Sequence, residues 1–263
     1  MTTILVTGGT GTLGRVLVPR LSALRHDVRV LSRRPQPPPG SPTGHAWFTG
    51  DLRTGEGIDA ALAGADAVVH CATSQRGEQA AAGNLIAAAS RTGRPHLIYI
   101  SIVGVDKVPL FYYKHKLASE ALISGSGLPW TILRATQFHD LILTFCQSLA
   151  RLPVMPVPGI SVQPVDVREV AGRLAELATS QPAGRVPDLA GPQVRPMTGL
   201  ARSYLEASGR RRPLLPVRLP GSTFARIRGG GLLAPGRAAG GATFEEFLAE
   251  RLGVSQEHAR QPR

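Results

Sequence analysis

The clearest chemistry in this chain lies in eight residues near its amino terminus, Thr7-Gly8-Gly9-Thr10-Gly11-Thr12-Leu13-Gly14. They follow a short apolar run, residues 3–7, with the character of a strand, and they open a leucine-rich segment, residues 13–25, with the character of a helix. Glycines at this spacing suit a pyrophosphate. Gly8 or Gly9 permits the tight turn, Gly11 lets backbone approach the phosphates, and Gly14 lets the helix pack on the strand. The helix amino terminus adds free N–H groups and a positive dipole end. A bare glycine turn would lack the flanking strand and helix, so Gly8, Gly9, Thr10, Gly11, Thr12, Leu13 and Gly14 are expected to bind a dinucleotide.

About twenty residues beyond such a loop, an enzyme that prefers NAD places a carboxylate against the ribose hydroxyls. Here the second strand ends Ser32-Arg33-Arg34, and the nearest acid, Asp27, lies at the strand's other end. An arginine fork holds a 2′-phosphate through charge-assisted hydrogen bonds, so the expected cofactor is NADP(H), with Ser32, Arg33 and Arg34 among its contacts. The alternative is two solvated arginines that open a loop.

These residues need elements to position them. Near-continuous apolar runs at 3–7, 28–32, 46–49, 67–71, 97–101 and 131–134 alternate with helix-like segments at 13–25, 57–63, 78–92 and 111–124. That is the pattern of βαβ units around a parallel sheet covered on both faces, so the expected fold is α/β: a Rossmann-type, doubly wound parallel sheet. The run Arg34 to Pro42 reads RPQPPPGSP, which forbids a crossing helix there and predicts an extended loop. After Ala150 the pattern loosens, with helices expected at 167–179, 198–208 and 244–252, and a mobile glycine-rich stretch at 229–241. The expected organisation is a dinucleotide-binding domain over residues 1–155, a smaller C-terminal substrate lobe over 156–252 partly interleaved with it, and a flexible tail over 253–263.

Beyond the glycine loop, the chain carries Gly50-Asp51-Leu52 after the third strand, His70-Cys71-Ala72-Thr73 after the fourth, YISIVGVD after the fifth, and YYKHKLASEALISGSGLPWTILR. On these motifs, roughly from Thr2 to Ala190, it resembles the NmrA-like branch of the atypical short-chain dehydrogenase/reductases. The resemblance implies that Asp51 and Leu52 border the adenine and that Cys71, Ala72 and Thr73 line the adenosine ribose. A turn residue is the alternative for Asp51. Tyr112 and Lys116 reproduce the family's YxxxK element, and on a helix an i, i+4 pair shares one face. The resemblance makes them catalytic. A lysine near a phenol lowers its pKa, so Tyr112 would exchange the proton that accompanies hydride transfer while Lys116 also holds the nicotinamide ribose.

Tyr113 is a competing phenol, and Pro109 blurs the start of the helix. The family's third polar partner lies in a serine-rich run, whereas here Ser101 is followed by Ile102 and Val103. Ser101 is the candidate oxyanion donor, and if the functional position is Ile102 the donor is missing. Thr136, Gln137 and Phe138 follow the sixth strand at its ligand-binding end and are expected to contact cofactor or substrate. His139 is a candidate proton carrier or a packing histidine, and His70 is expected to shape the ribose pocket.

The net charge of +12 raises the question of nucleic acid. Its arginines are scattered without interleaved aromatics to stack bases, so no nucleic-acid partner is expected. Cys71 and Cys146 lie far apart without metal-ligand spacing, so neither a disulfide nor a metal site is expected. The chain starts without a basic n-region or apolar h-region, which predicts a cytoplasmic location, and Arg134, His139 and Asp140 interrupt the most apolar stretch, which argues against a membrane span. The expected activity is an NADPH-dependent reductase of a small carbonyl or enone substrate. A non-catalytic NADP(H)-sensing regulator and a nicotinamide-dependent epimerase or dehydratase are the alternatives. Neither the substrate's identity nor the oligomeric state is written in any motif.

Overall fold

The computed structural model describes residues 1–35, 45–73, 77–238 and 241–253. Within these residues the chain forms two compact units, Met1–Ala135 with Val167–Pro187, and Thr136–Asp166 with Asp188–Arg263.

The first unit opens with β1 (Thr3–Thr7), α1 (Gly14–Ala23), β2 (Asp27–Ser32), β3 (Ala46–Thr49), α2 (Ile58–Leu62) and β4 (Ala67–His70). It continues with α3 (Glu78–Arg91), β5 (His96–Ile102), α4 (Phe111–Ser124) and β6 (Trp130–Ala135). In the second unit lie α5 (His139–Leu149), β7 (Met155–Pro158) and β8 (Ser161–Val162). The chain then returns to the first unit for α6 (Val167–Thr179) and β9 (Gly184–Arg185). It finishes in the second unit with β10 (Arg195–Pro196), α7 (Met197–Ala207), β11 (Leu214–Val217), α8 (Ser222–Arg226) and α9 (Phe244–Leu252).

The described strands of the first unit form one parallel sheet in the order β3-β2-β1-β4-β5-β6-β9. This is the Rossmann-type doubly wound sheet expected from the alternating pattern. Right-handed crossovers from β1 run outward in both directions, which puts α1 and α6 on one face and α2, α3 and α4 on the other. Ile4, Leu5, Val68, Val69, Leu97 and Ile98 have no exposed surface, as strands covered on both faces require.

The boundary expected near residue 155 lies elsewhere. The first unit gives up the chain at Ala135 and takes it back at Val167, because α6 packs on α1 and β9 extends the sheet beside β6. Gly172 marks the close approach: a Cβ there would lie 3.1 Å from the Arg20 guanidinium. The apolar stretch after β6 proves to be helix α5, whose Ile142, Leu143 and Cys146 join Leu200, Tyr204, Phe244 and Leu248 in the core of the second unit. Its closing helix α9 starts at a capping box, in which the Thr243 hydroxyl accepts from the Glu246 N–H and the Glu246 carboxylate accepts from the Thr243 N–H. The glycine-rich stretch holds two helical turns, Ile227–Gly231 and Pro235–Arg237, while residues 239–240 of it, the tail 254–263 and most of the proline-rich loop (36–44) lie outside the described residues.

Candidate functional site

In an open α/β sheet, ligands bind beyond the carboxyl ends of the strands where the winding reverses. That point is the crevice between β1 and β4, which pair in parallel from Ile4–Ala67 to Thr7–His70. A cleft of about 320 Å³ opens there. Of the residues expected to hold a cofactor, Gly8, Thr10, Gly11, Ser32, Arg33, Arg34, Asp51, Leu52, Cys71, Ala72 and Thr73 line it. Four loops from four strands converge on one volume.

Gly9, Thr12, Leu13 and Gly14 are not on the cleft surface and instead build the loop. The tight turn belongs to Gly8, at φ +72°, where a Cβ would collide with the Ala72 backbone nitrogen at 2.5 Å. A Cβ on Gly14 would meet the Gly8 carbonyl oxygen at 2.2 Å, whereas one on Gly11 would meet only that oxygen, at 3.3 Å. Space above Gly11 is therefore free for a ligand. A buried bracket supports the loop from below: the Thr7 hydroxyl and His70 Nδ1 are hydrogen-bonded at 2.7 Å, and the Ala72 N–H donates to the same hydroxyl at 3.4 Å. Burial holds His70 neutral, with its pKa lowered to about 4.

Arg53 lines the cleft with Arg33 and Arg34, a third arginine that no motif indicates. Asp51 accepts from the Arg53 N–H at 2.8 Å and pairs with its guanidinium at 3.9 Å, so it shapes the turn after β3 as well as lining the cleft.

Helix α4 carries Tyr112 and Lys116, and the two face different surroundings. The Tyr112 hydroxyl and the cleft-lining Thr73 hydroxyl share a hydrogen bond. Tyr113, one residue on, is buried. Tyr112 is therefore tied to the cleft through Thr73, although it is not itself among the residues that line it. Lys116 is only 3% exposed, with its ammonium 2.9 Å from Glu78 Oε1, donating to the Ile100 carbonyl at 3.1 Å and lying 4.4 Å from the centre of the Tyr99 ring. The Tyr99 hydroxyl donates to the same Glu78 oxygen at 3.0 Å. Glu78, in the first turn of α3, lines the cleft and was not indicated by any motif.

Burial reverses one expectation. The Tyr112 pKa is raised to about 12, first by burial and then by the charges of Glu78 and Tyr113, against a lowering from the Thr73 hydrogen bond. The net shift runs opposite to the depression expected from Lys116, with burial its largest cause, and Lys116 itself pairs with Glu78 at 2.9 Å. For Lys116 itself, burial pulls the pKa down and Glu78 pulls it back.

Ser101 is buried in β5 and is not among the cleft residues, and its hydroxyl has no hydrogen-bond partner among the described residues. At the end of β6, the buried Arg134 grips Glu120 of α4 with two hydrogen bonds, at 2.9 and 2.7 Å, and Asp106 of the preceding loop at 2.9 Å. That triad fixes the approach to α4 and so the placement of Tyr112.

Thr136, Gln137 and Phe138 belong to the second unit. There the Thr136 N–H donates to the Leu189 carbonyl and its hydroxyl accepts from the Gly191 N–H, while Phe138 bridges to Val165. His139 is a packing residue within that unit: its Nε2 is hydrogen-bonded to the Ala242 carbonyl at 2.9 Å and its ring stacks on Phe247. Among the described residues no helix is long and apolar enough to cross a membrane.

The family model described as NAD(P)H-binding matches residues 8–143. A (4-alkanoyl-5-oxo-2,5-dihydrofuran-3-yl)methyl phosphate reductase from Streptomyces griseus is 32% identical over 200 residues, covering 72% of this chain and 68% of that protein. An NAD(P)H azoreductase from Xenophilus azovorans is 26% identical over 231 residues, 86% of this chain and 79% of its own. An NADPH-dependent quinone oxidoreductase from Escherichia coli, solved with NADPH, superposes with a TM-score of 0.77 at 18% identity, covering 94% of this chain and 99% of that one, a likeness of fold.

Proposed function

This chain belongs to the NAD(P)H-binding family and fits its NmrA-like, short-chain dehydrogenase/reductase kind, and on that premise we propose that it is an NADPH-dependent reductase of a small carbonyl or conjugated-alkene substrate. One observation carries the reading. Tyr112 has its hydroxyl on the cleft-lining Thr73 and its pKa raised to about 12, so it stays protonated across the physiological range. A protonated phenol is a donor, and reduction is the direction that needs one.

NADPH, when bound, supplies the hydride. Gly8, Thr10 and Gly11 would carry its pyrophosphate, and Arg33, Arg34 and Arg53 its 2′-phosphate. Tyr112 would give its proton to the oxygen of a reduced carbonyl, or to the enolate left by hydride addition to an enone, and solvent would restore it. The Streptomyces griseus relative is named for a substrate whose ring alkene is conjugated to carbonyl groups, which supports the enone class here.

The test is NADPH consumption followed at 340 nm with butenolides, cyclic enones, quinones and simple aldehydes. Substrate-dependent loss of NADPH that falls about 10²-fold in Tyr112→Phe is the expected result. A second reading, a non-catalytic NADP(H)-responsive regulator, has two observations in its favour: Ser101 is buried off the cleft and Lys116 is paired with Glu78. Tight NADPH binding with no consumption across the panel would select it.

A further inference from the structure

Arg33 and Arg34 reach the cleft from the end of β2, and Arg53 reaches it from the turn after β3. That turn is closed by the Asp51 N–H donating to the Glu56 carbonyl at 3.0 Å and by the Gly55 N–H donating to the Asp51 carbonyl at 2.9 Å. The backbone of Arg53 is held from both sides by side chains. Its N–H donates to Asp51 Oδ1 at 2.8 Å, and Asn84 of α3 donates from Nδ2 to the Leu52 carbonyl at 2.9 Å and to the Arg53 carbonyl at 3.0 Å. A side-chain amide nitrogen carries two hydrogens, and Asn84 spends both on consecutive carbonyls of one turn.

Two peptide planes held in this way fix the direction in which the Arg53 side chain leaves the backbone. Its stem then passes Gly77, the residue before α3, where a Cβ would lie 3.4 Å from Arg53 Cδ and 3.5 Å from Cγ. The guanidinium beyond is 66% exposed and 3.9 Å from Asp51 Oδ2. An exposed pair at that distance is weak, so a phosphate dianion can displace it by accepting two N–H bonds from the fork.

We propose that Asn84 is a positioning residue for cofactor choice: by holding the Leu52 and Arg53 carbonyls it presents the Arg53 guanidinium to the cleft, where with Arg33 and Arg34 it receives the 2′-phosphate of NADPH. The proposal rests on the reading of the arginines as the 2′-phosphate site and adds the residue that aims the third of them. Asn84 does not itself line the cleft, so its effect on the cofactor passes through the turn. The physical gain is pre-organisation. A guanidinium on a long stem loses rotamer freedom when it grips an anion, and a backbone and stem already fixed leave less to lose. Asp51 and Leu52 of the same turn also line the cleft, so loosening the turn weakens both cofactors in part. The ratio of the NADH Kd to the NADPH Kd isolates the contribution of Arg53.

The test is fluorescence titration with NADPH and with NADH of the wild type, Asn84→Ala, Arg53→Ala and the double variant. The Kd ratio should fall about tenfold in Arg53→Ala and at least about threefold in Asn84→Ala, and the double variant should match Arg53→Ala alone. If Asn84→Ala does not fold, Asn84→Ser, whose shorter side chain has a single hydrogen to donate, takes its place with the same expectation. A wild-type ratio in the Asn84 variant overturns the proposal. So does a double variant in which the two losses multiply, because Asn84 would then act through something other than Arg53. A wild-type ratio in Arg53→Ala overturns it as well. In each of these cases a wild-type preference for NADPH leaves the 2′-phosphate reading standing on Arg33 and Arg34, whereas equal affinity for both cofactors in the wild type removes that reading and the proposal together.

Discussion

Gly14 is pressed against Gly8: a Cβ on Gly14 would lie 2.2 Å from the Gly8 carbonyl oxygen and 2.5 Å from the Gly9 Cα. A Cβ on Gly11, between them, would meet only that carbonyl oxygen, at 3.3 Å. The glycines of one motif therefore do different work, and substitution should separate them. Gly11→Val is expected to abolish NADPH binding by calorimetry while thermal unfolding stays within a few degrees of wild type. Gly14→Ala should lower stability, because backbone must move to admit the methyl, by about 1–3 kcal/mol in denaturant titration. Wild-type NADPH affinity in Gly11→Val would show that the loop holds no pyrophosphate.

Cofactor choice should follow the arginines. Arg33, Arg34 and Arg53 border the cleft, and of the two acids that also border it, Asp51 is engaged with Arg53 and Glu78 with Lys116. Arg33→Ala should weaken NADPH by about 2 kcal/mol, tens-fold in Kd, and leave NADH nearly unchanged. Fluorescence titration of both cofactors decides it, and equal affinities in the wild-type protein would remove the NADPH preference.

The two adjacent phenols should differ sharply. Tyr112 contacts the cleft-lining Thr73, while Tyr113 is 7% exposed. Tyr112→Phe should cut turnover about 10²-fold with little change in NADPH affinity, whereas Tyr113→Phe should act mainly on stability. The opposite pattern in steady-state kinetics would move the acid to Tyr113.

Lys116→Met should be damaging for a reason separate from chemistry. It takes the ammonium from the Glu78 carboxylate, which is 1% exposed, so unfolding in denaturant should come earlier by about 3–5 kcal/mol. Substituting both partners, Glu78→Gln with Lys116→Met, should recover much of that loss.

His70 gives the protein an acid-side stability slope. Its folded pKa of about 4 lies below the ordinary 6.5, so between these values the unfolded chain binds a proton that the folded one refuses. Stability is whole above about pH 6.5 and falls as the pH drops toward 4, by about 3 kcal/mol from this residue. His70→Gln should flatten that part of the profile in denaturant titrations run from pH 7 to 4. His96 and His139 are shifted in the same direction, so the difference between the two profiles is the quantity to compare.

The sequence by itself determined the parts of this protein that local chemistry specifies. The glycine loop announced the β1–α1 turn, alternating apolar runs announced the parallel sheet, and α4 was expected over 111–124, where it stands. Turn residues and hydrophobic period act over a few neighbours, so they can be read from a line of residues. Only the tertiary structure decided the partners of Lys116. Glu78 lies 38 positions earlier, at the start of a helix with no motif of its own, and meets the lysine because α3 and α4 pack side by side on one face of the sheet. The contact of Tyr112 with Thr73, the third arginine at the cleft and the exit of the chain at Ala135 were decided in the same way. Charge neutralisation and burial depend on distance in space, and distance in space is set by packing between elements far apart in the chain.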